Sequence, residues 1–262
     1  MGKYLLILKS SIQRNLIYRF NTFSFLFIQI FIFGVFFYLW SSIYRSGGQI
    51  GNYELGELIT YYLVVNFLIL IIKSDVAWRV GDEIRLGTMT SILLRPISYF
   101  GYIFSRTLGD IVFSGTVYSA SFLFLFLFLN DYLNISLNLE QIFYFIASVV
   151  LGAGIYFLFF YIIGLTTFWL GFVWGFNFAM HMIVSFLEGS IIPLDLLPEF
   201  IIKISGFLPF KYIVFIPISI FTNRIELTPN LLVVPFCWIT VLYIISLIVF
   251  KKGIKKYEGY GA

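Results

Sequence analysis

The chain has 262 residues and a mass of 30.4 kDa, with 60% of its residues hydrophobic and only 11% charged, against about 25% charged in ordinary soluble domains. That composition belongs to a membrane and leaves no room for a large soluble catalytic domain beside the roughly six spans of about 20 residues that the length allows. With a single cysteine, Cys237, and a single histidine, His181, an intrachain disulfide and a multi-histidine metal centre are both excluded. The net charge of +4 is therefore read through its placement in loops and not as a nucleic-acid footprint.

In chain order, residues 1–20 carry Lys3, Lys9, Arg14 and Arg19 without an acid, and Leu5, Leu8, Ile12 and Leu16 recur at helical spacing between them. This predicts a basic amphipathic helix lying on the inner membrane surface. Phe23 to Ile43 is too long for a signal-peptide core and reads as an uncleaved first span. A polar loop with Arg45, Gly47, Gly48, Glu54 and Glu57 leads to a second span, Leu58 to Ile72. Lys73 to Arg106 is charged and must lie in water or at the interface. The third span is expected over Leu108–Leu129, followed by an acidic loop with Asp131 and Glu140. A fourth is expected over Gln141–Leu165 and, after a tight turn, a fifth over Phe168–Leu187.

From Glu188 to Asn230, prolines at 193, 198, 209, 217 and 229 forbid one long helix and predict two short helices with extended connections, interfacial or partly re-entrant. The last span, Leu231 to Phe250, is closed by Lys251, Lys252, Lys255 and Lys256. The N-terminal tail, the 73–106 segment and the C-terminus hold four, five and four of the 17 basic residues. By the positive-inside rule both termini are cytoplasmic, which requires an even number of spans. The expected fold is thus an all-α membrane protein with six transmembrane helices, forming one domain over 1–262.

The motifs of intramembrane enzymes are missing. His181 lies outside any H-E-x-x-H, Gly189-Ser190 is not a G-x-S-x-G elbow, and no G-x-x-x-x-G-K-[ST] loop is present to cradle phosphates. If ATP drives this protein, another chain binds it.

Within the 73–106 segment, two short helical stretches meet at Gly87 and Pro96 ends the second. The run Arg85-Leu86-Gly87-Thr88, followed by Leu93-Leu94-Arg95-Pro96-Ile97, resembles the cytoplasmic coupling segment of type-two ATP-binding-cassette (ABC) exporter permeases of about 260 residues. Gly189-Ser190-Ile191-Ile192-Pro193-Leu194, Leu197-Pro198 and Leu208-Pro209-Phe210 with Tyr212 and Pro217 resemble that subfamily's extracellular segment before the last span. The resemblance covers the whole chain. It implies that Glu83, Arg85, Gly87 and Thr88 sit in a coupling helix, with Arg95 and Pro96 at its exit, and that Gly189, Pro193 and Pro198 belong to the extracellular segment over 188–230. Glu188 and Asp195 flank that motif where the family pattern is neutral. The resemblance also implies a plasma-membrane permease of bacterial type, paired with a second copy or a paralogous permease and with two copies of an ATPase. That ATPase would bind the ATP and magnesium, leaving this chain without a cofactor. No nucleic acid partner is implied, and the surrounding membrane lipid is the remaining contact.

Apart from the family, Trp174, Asn177, His181, Ser185 and Glu188 follow one another at spacings of three or four and share a helix face, a candidate lining of the translocation path or of a subunit interface. Arg106 and Asp110, four apart, are expected to form an ion pair. Gly171 and Gly175 form a G-x-x-x-G that allows close helix approach, and Phe122, Phe124, Phe126 and Phe128 are expected to face lipid. The rival readings are an ion-gradient-driven transporter or channel, a membrane-embedded lipid-modifying enzyme, and a structural or assembly protein.

Overall fold

The computed structural model describes residues 2–17, 19–48, 50–128 and 138–257; Asp131 and the tail 258–262 lie outside them. Within this range the chain is all-α, and the only strand-like feature is one antiparallel bridge between Ile50 and Tyr53. In order, the first helices are α1 (Gly2–Ile17), α2 (Arg19–Arg45), α3 (Leu55–Ile72), α4 (Val76–Arg85) and α5 (Met89–Leu93). They are followed by α6 (Tyr99–Phe128), α7 (Leu139–Leu165), α8 (Thr167–Leu170), α9 (Trp174–Leu187), α10 (Glu199–Phe207), α11 (Phe215–Phe221) and α12 (Asn230–Gly253).

α3 and α7 are apolar on all sides, as buried helices must be, and they form the centre. α7 packs against α12, α4 and α11, and α3 against α2 and α6. The outer helices α2, α6 and α12 turn large apolar side chains outward, including Phe27, Phe31, Phe124, Phe128 and Phe236, a surface suited to hydrocarbon or to another apolar helix. Five helical stretches are long and apolar enough to cross a membrane, and the sixth apolar helix, α9, is shorter, at 14 residues. The protein is a multi-pass membrane protein.

The expected fifth span is the one that departs from its prediction. α8 stops at Leu170, Gly171 takes φ +68°, and the chain restarts as α9 only at Trp174. α9 then rises about 21 Å, short of a bilayer core of about 30 Å. Gly171 and Gly175 therefore lie on either side of a break, and a Cβ added at either would meet nothing within 4 Å, so the G-x-x-x-G makes no close helix approach within this chain. The phenylalanine row also divides. In a helix, alternate residues do not share a face, so Phe124 and Phe128 are exposed while Phe122 packs on Phe67.

Beyond α9 the two expected short helices are present as α10 and α11, joined by 3-10 turns at Leu194–Leu196 and Phe210–Tyr212. The start of the segment is tied to α3. The hydroxyl of Tyr61 donates to the Gly189 carbonyl at 2.6 Å, and that of Tyr62 to the Ile191 carbonyl at 2.9 Å. Tyr61 lies six residues along from Leu55 at the start of α3, about 9 Å at 1.5 Å per residue, so the turn after α9 packs beside α3 and not beyond its end. Gly189 adopts φ +83°, open to glycine without strain.

α1 lies against α6 along its length, and the contact depends on Gly109. A Cβ there would meet the Leu8 carbonyl oxygen at 2.7 Å and the Ser11 Cβ at 2.8 Å, and neither can yield without moving α1. The stripe expected to define this helix is split, since Leu5 and Leu16 are exposed while the side docked on α6 carries buried Ser11 with Arg14 and Asn15. Gly109→Val is expected to displace α1 and lower stability by about 1–3 kcal/mol, read as a lower thermal midpoint in detergent and faster proteolysis after Lys9.

Candidate functional site

The charged end of the molecule is built on α4. Its apolar residues Val76, Ala77, Val80 and Ile84 are buried, and α4 reaches the α7 backbone through Gly164, where a Cβ would stand 2.7 Å from the Val80 Cβ and 3.0 Å from the Ala77 carbonyl oxygen. Gly87, at φ +74°, turns the chain from α4 into α5, and Met89 and Ile92 of α5 return to the core. The opposite side is open: Arg85, Leu86, Thr88, Leu94, Arg95 and Pro96 are all exposed, Leu94 at 84%. Arg85 pairs with Asp82 at 3.3 Å and lies over the Phe172 ring. The expected helix–Gly87–helix hairpin is thus present, and its residues form one rim.

Glu83 is the exception. It points inward to Arg106 Nη1 at 3.2 Å and receives the Tyr99 hydroxyl at 2.9 Å, fixing α4 to α6. The expected Arg106–Asp110 pair is therefore not made, because each has a nearer partner on another element. Asp110 takes Arg14 Nη2 at 2.9 Å on one oxygen and Arg79 Nη2 at 2.7 Å on the other, with the Ser11 hydroxyl donating at 2.6 Å and Asn15 Nδ2 at 2.8 Å. An ionised carboxylate in an apolar helix needs compensating charge and hydrogen bonds, and four donors from α1 and α4 supply them. Asp110→Asn leaves two guanidinium groups sharing no anion, and removing one partner of a buried pair costs about 3–5 kcal/mol. A loss of that order in unfolding stability is expected, with Arg85→Ala as the unaffected comparison.

Of the five residues expected on one helix face, Asn177, Ser185 and Glu188, the last just beyond α9, are buried inside the chain, His181 is half-buried and Trp174 is exposed. Glu188 is paired with Lys73 at 2.7 Å, and the same ammonium donates to Ser185 Oγ at 2.9 Å. A cation at the C-terminal end of α9 also meets the negative end of its dipole. His181 stacks on Phe160 with ring centroids 4.0 Å apart, and its Nδ1 lies 3.3 Å from the Tyr156 hydroxyl.

At the opposite end, the Tyr53 hydroxyl donates to both Asp195 oxygens at 2.9 Å, Arg224 lies 3.5 Å over the Tyr53 ring, and Arg224 pairs with Glu57 at 3.2 Å. Burial, and then the Asp195 charge, push the Tyr53 phenol well above its ordinary pKa, so it stays protonated and keeps donating through the physiological range. The acid at 195, unusual for the pattern, has its partner here, while Pro193 is buried and Pro198 exposed on either side of it. Tyr53→Phe is expected to cost about 1–2 kcal/mol in thermal unfolding, while Tyr38→Phe at the exposed surface costs nothing measurable.

Asp110, Arg79, Arg14, Lys73, Tyr53 and Arg224 are the residues that sequence reasoning did not single out for these roles. Asp110 carried a signal, an acid inside an apolar stretch, and Ser11, Arg14 and Asn15 at spacings of three and one gave the matching polar stripe.

Compared with known protein families, residues 29–261 match the ABC-2 family transporter proteins. The match spans nearly the whole chain, which belongs to this family and is a membrane permease of an ABC transporter. The search of curated proteins found no match.

Proposed function

We propose that the chain is the permease subunit of an ATP-driven exporter, acting as one domain over 1–262 with both termini in the cytoplasm. Its energy comes from a separate ATPase, present in two copies and binding ATP and magnesium, and its partner across the membrane is a second copy or a paralogous permease. The observation that carries the reading is the rim formed by Arg85, Leu86, Thr88, Leu94, Arg95 and Pro96, an exposed mixed surface backed by a buried face on α7. A large exposed residue such as Leu94, flanked by arginine, has the composition of an interface anchor. Glu83 acts on the other side of the same helix, transmitting its movement to α6 through Arg106 and the tyrosines.

Substrate passage then follows from two states of the permease pair that differ in their contacts with the ATPase, since only differential binding shifts such an equilibrium. The segment over 188–230, anchored through Gly189 and Asp195, serves as the outer closure. Along α9 and at its end, Trp174, Asn177, His181, Ser185 and Glu188 support the wall of the path or of the subunit interface.

The test is co-purification of the tagged chain from its native membrane with mass spectrometry and an ATPase assay. The wild type is expected to bring down an ABC ATPase, and Arg85→Ala/Leu94→Ala/Arg95→Ala to reduce its recovery about tenfold or more, equivalent to losing about 1.4 kcal/mol. Glu83→Ala is expected to retain the ATPase while uncoupling hydrolysis from transport. A chain that purifies without any nucleotide-binding partner overturns the proposal and favours an ion-driven carrier.

A further inference from the structure

A crevice of about 380 Å³ opens among α1, α2, α3, α4 and α6 at the level of α1. Its wall carries Arg14, Lys73, Asp75, Arg79 and Asp110, with His181 at the back. Beyond Gln29, Leu70 and Tyr118, which line both, a narrow and mostly apolar cleft of about 30 Å³ lies between α2 and α6 past Phe33 and Phe122. Polar at the end where α1 marks the membrane surface and apolar toward the bilayer centre, crevice and cleft together have the shape and polarity of one amphiphile standing in a leaflet.

The charges define the head. Arg79 uses Nη2 for Asp110, while its Nη1 is buried without a hydrogen-bond partner. A buried guanidinium arm left free is costly, and Arg14 and Arg79 together carry one positive charge more than the Asp110 between them. Asp75, on the same wall, is exposed and forms no ion pair among the described residues. Lys73 is already neutralised by Glu188. The wall therefore presents an anion site and a separate cation site with no net charge between them.

We propose that this crevice holds one zwitterionic glycerophospholipid from the leaflet that carries α1. Its phosphate meets the surplus positive charge of Arg14 and Arg79, its ammonium faces Asp75, and its acyl chains lie along the exposed apolar faces of α2 and α6. Arginine suits the first contact because its planar fork can serve Asp110 and a phosphate oxygen at once. The site lies within one chain and is independent of any ATPase.

The test is native mass spectrometry of the delipidated full-length chain titrated with phosphatidylethanolamine, with phosphatidylglycerol and inorganic phosphate as comparisons. One phosphatidylethanolamine per chain is expected to persist, at least fivefold tighter than phosphatidylglycerol and unmoved by millimolar phosphate. Ser114→Trp, which places an indole in the crevice one helical turn from Asp110, should abolish it while the thermal midpoint stays at the wild-type value. Arg79→Lys, which keeps a cation for Asp110 but removes the second arm, should weaken it about tenfold. Asp75→Asn, at an exposed position, should reverse the headgroup preference. Binding unchanged in Ser114→Trp overturns the site. Equal or tighter binding of phosphatidylglycerol overturns the zwitterion assignment, and displacement by phosphate alone shows an anion site in place of a lipid site.

Discussion

A charge inside a membrane must be neutralised where it stands, and in this chain that requirement organises the end that carries α4. Asp110 lies within a helix long and apolar enough to cross, and it is satisfied only because α1 and α4 both deliver an arginine to it. One carboxylate thereby joins the N-terminal helix α1, the long apolar helix α6 and the first arm of the α4–α5 hairpin. Glu83 makes the complementary tie, an acid on α4 meeting a cation on α6. With α7 pressed against the far side through Gly164, α4 has little freedom to move alone. Its exposed rim is thus backed on both sides, by α6 and by α7.

The same logic links that end to the other. Lys73 ends α3 just before α4, and its ammonium reaches the buried carboxylate of Glu188 where α9 stops. The residue after Glu188 is held by Tyr61 on α3, and Phe215 N–H donates to the Glu188 carbonyl at 3.0 Å. α3 therefore holds the turn that begins the 188–230 segment at two points, through Lys73 and Tyr61.

Most of the fold was legible because hydrocarbon imposes long apolar runs and the charged and proline-rich intervals between them stand out. Gly87 and Pro96 marked the hairpin correctly, since a left-handed turn and a proline act locally. What was not legible depended on partners distant in sequence. Arg106 and Asp110 satisfy the helical spacing rule, yet a spacing rule knows nothing of Glu83 or Arg14, and the closer three-dimensional partners won. Asp195, out of pattern by sequence, is accounted for by Tyr53, 142 positions away. The α9 break was missed because Thr167 to Trp174 is apolar throughout, so hydropathy continues across a point where the backbone does not.

The most direct measurement of the central claim, that the α4–α5 rim is the docking surface for the ATPase, is site-specific photo-crosslinking in native membranes. A photoreactive residue is placed at Leu94 on the rim and, separately, at the exposed Phe207 of α10. The account requires the Leu94 probe to capture an ABC ATPase and the Phe207 probe to capture none. Capture of the ATPase from Phe207, or lipid alone from Leu94 while the ATPase is present and active, would contradict it.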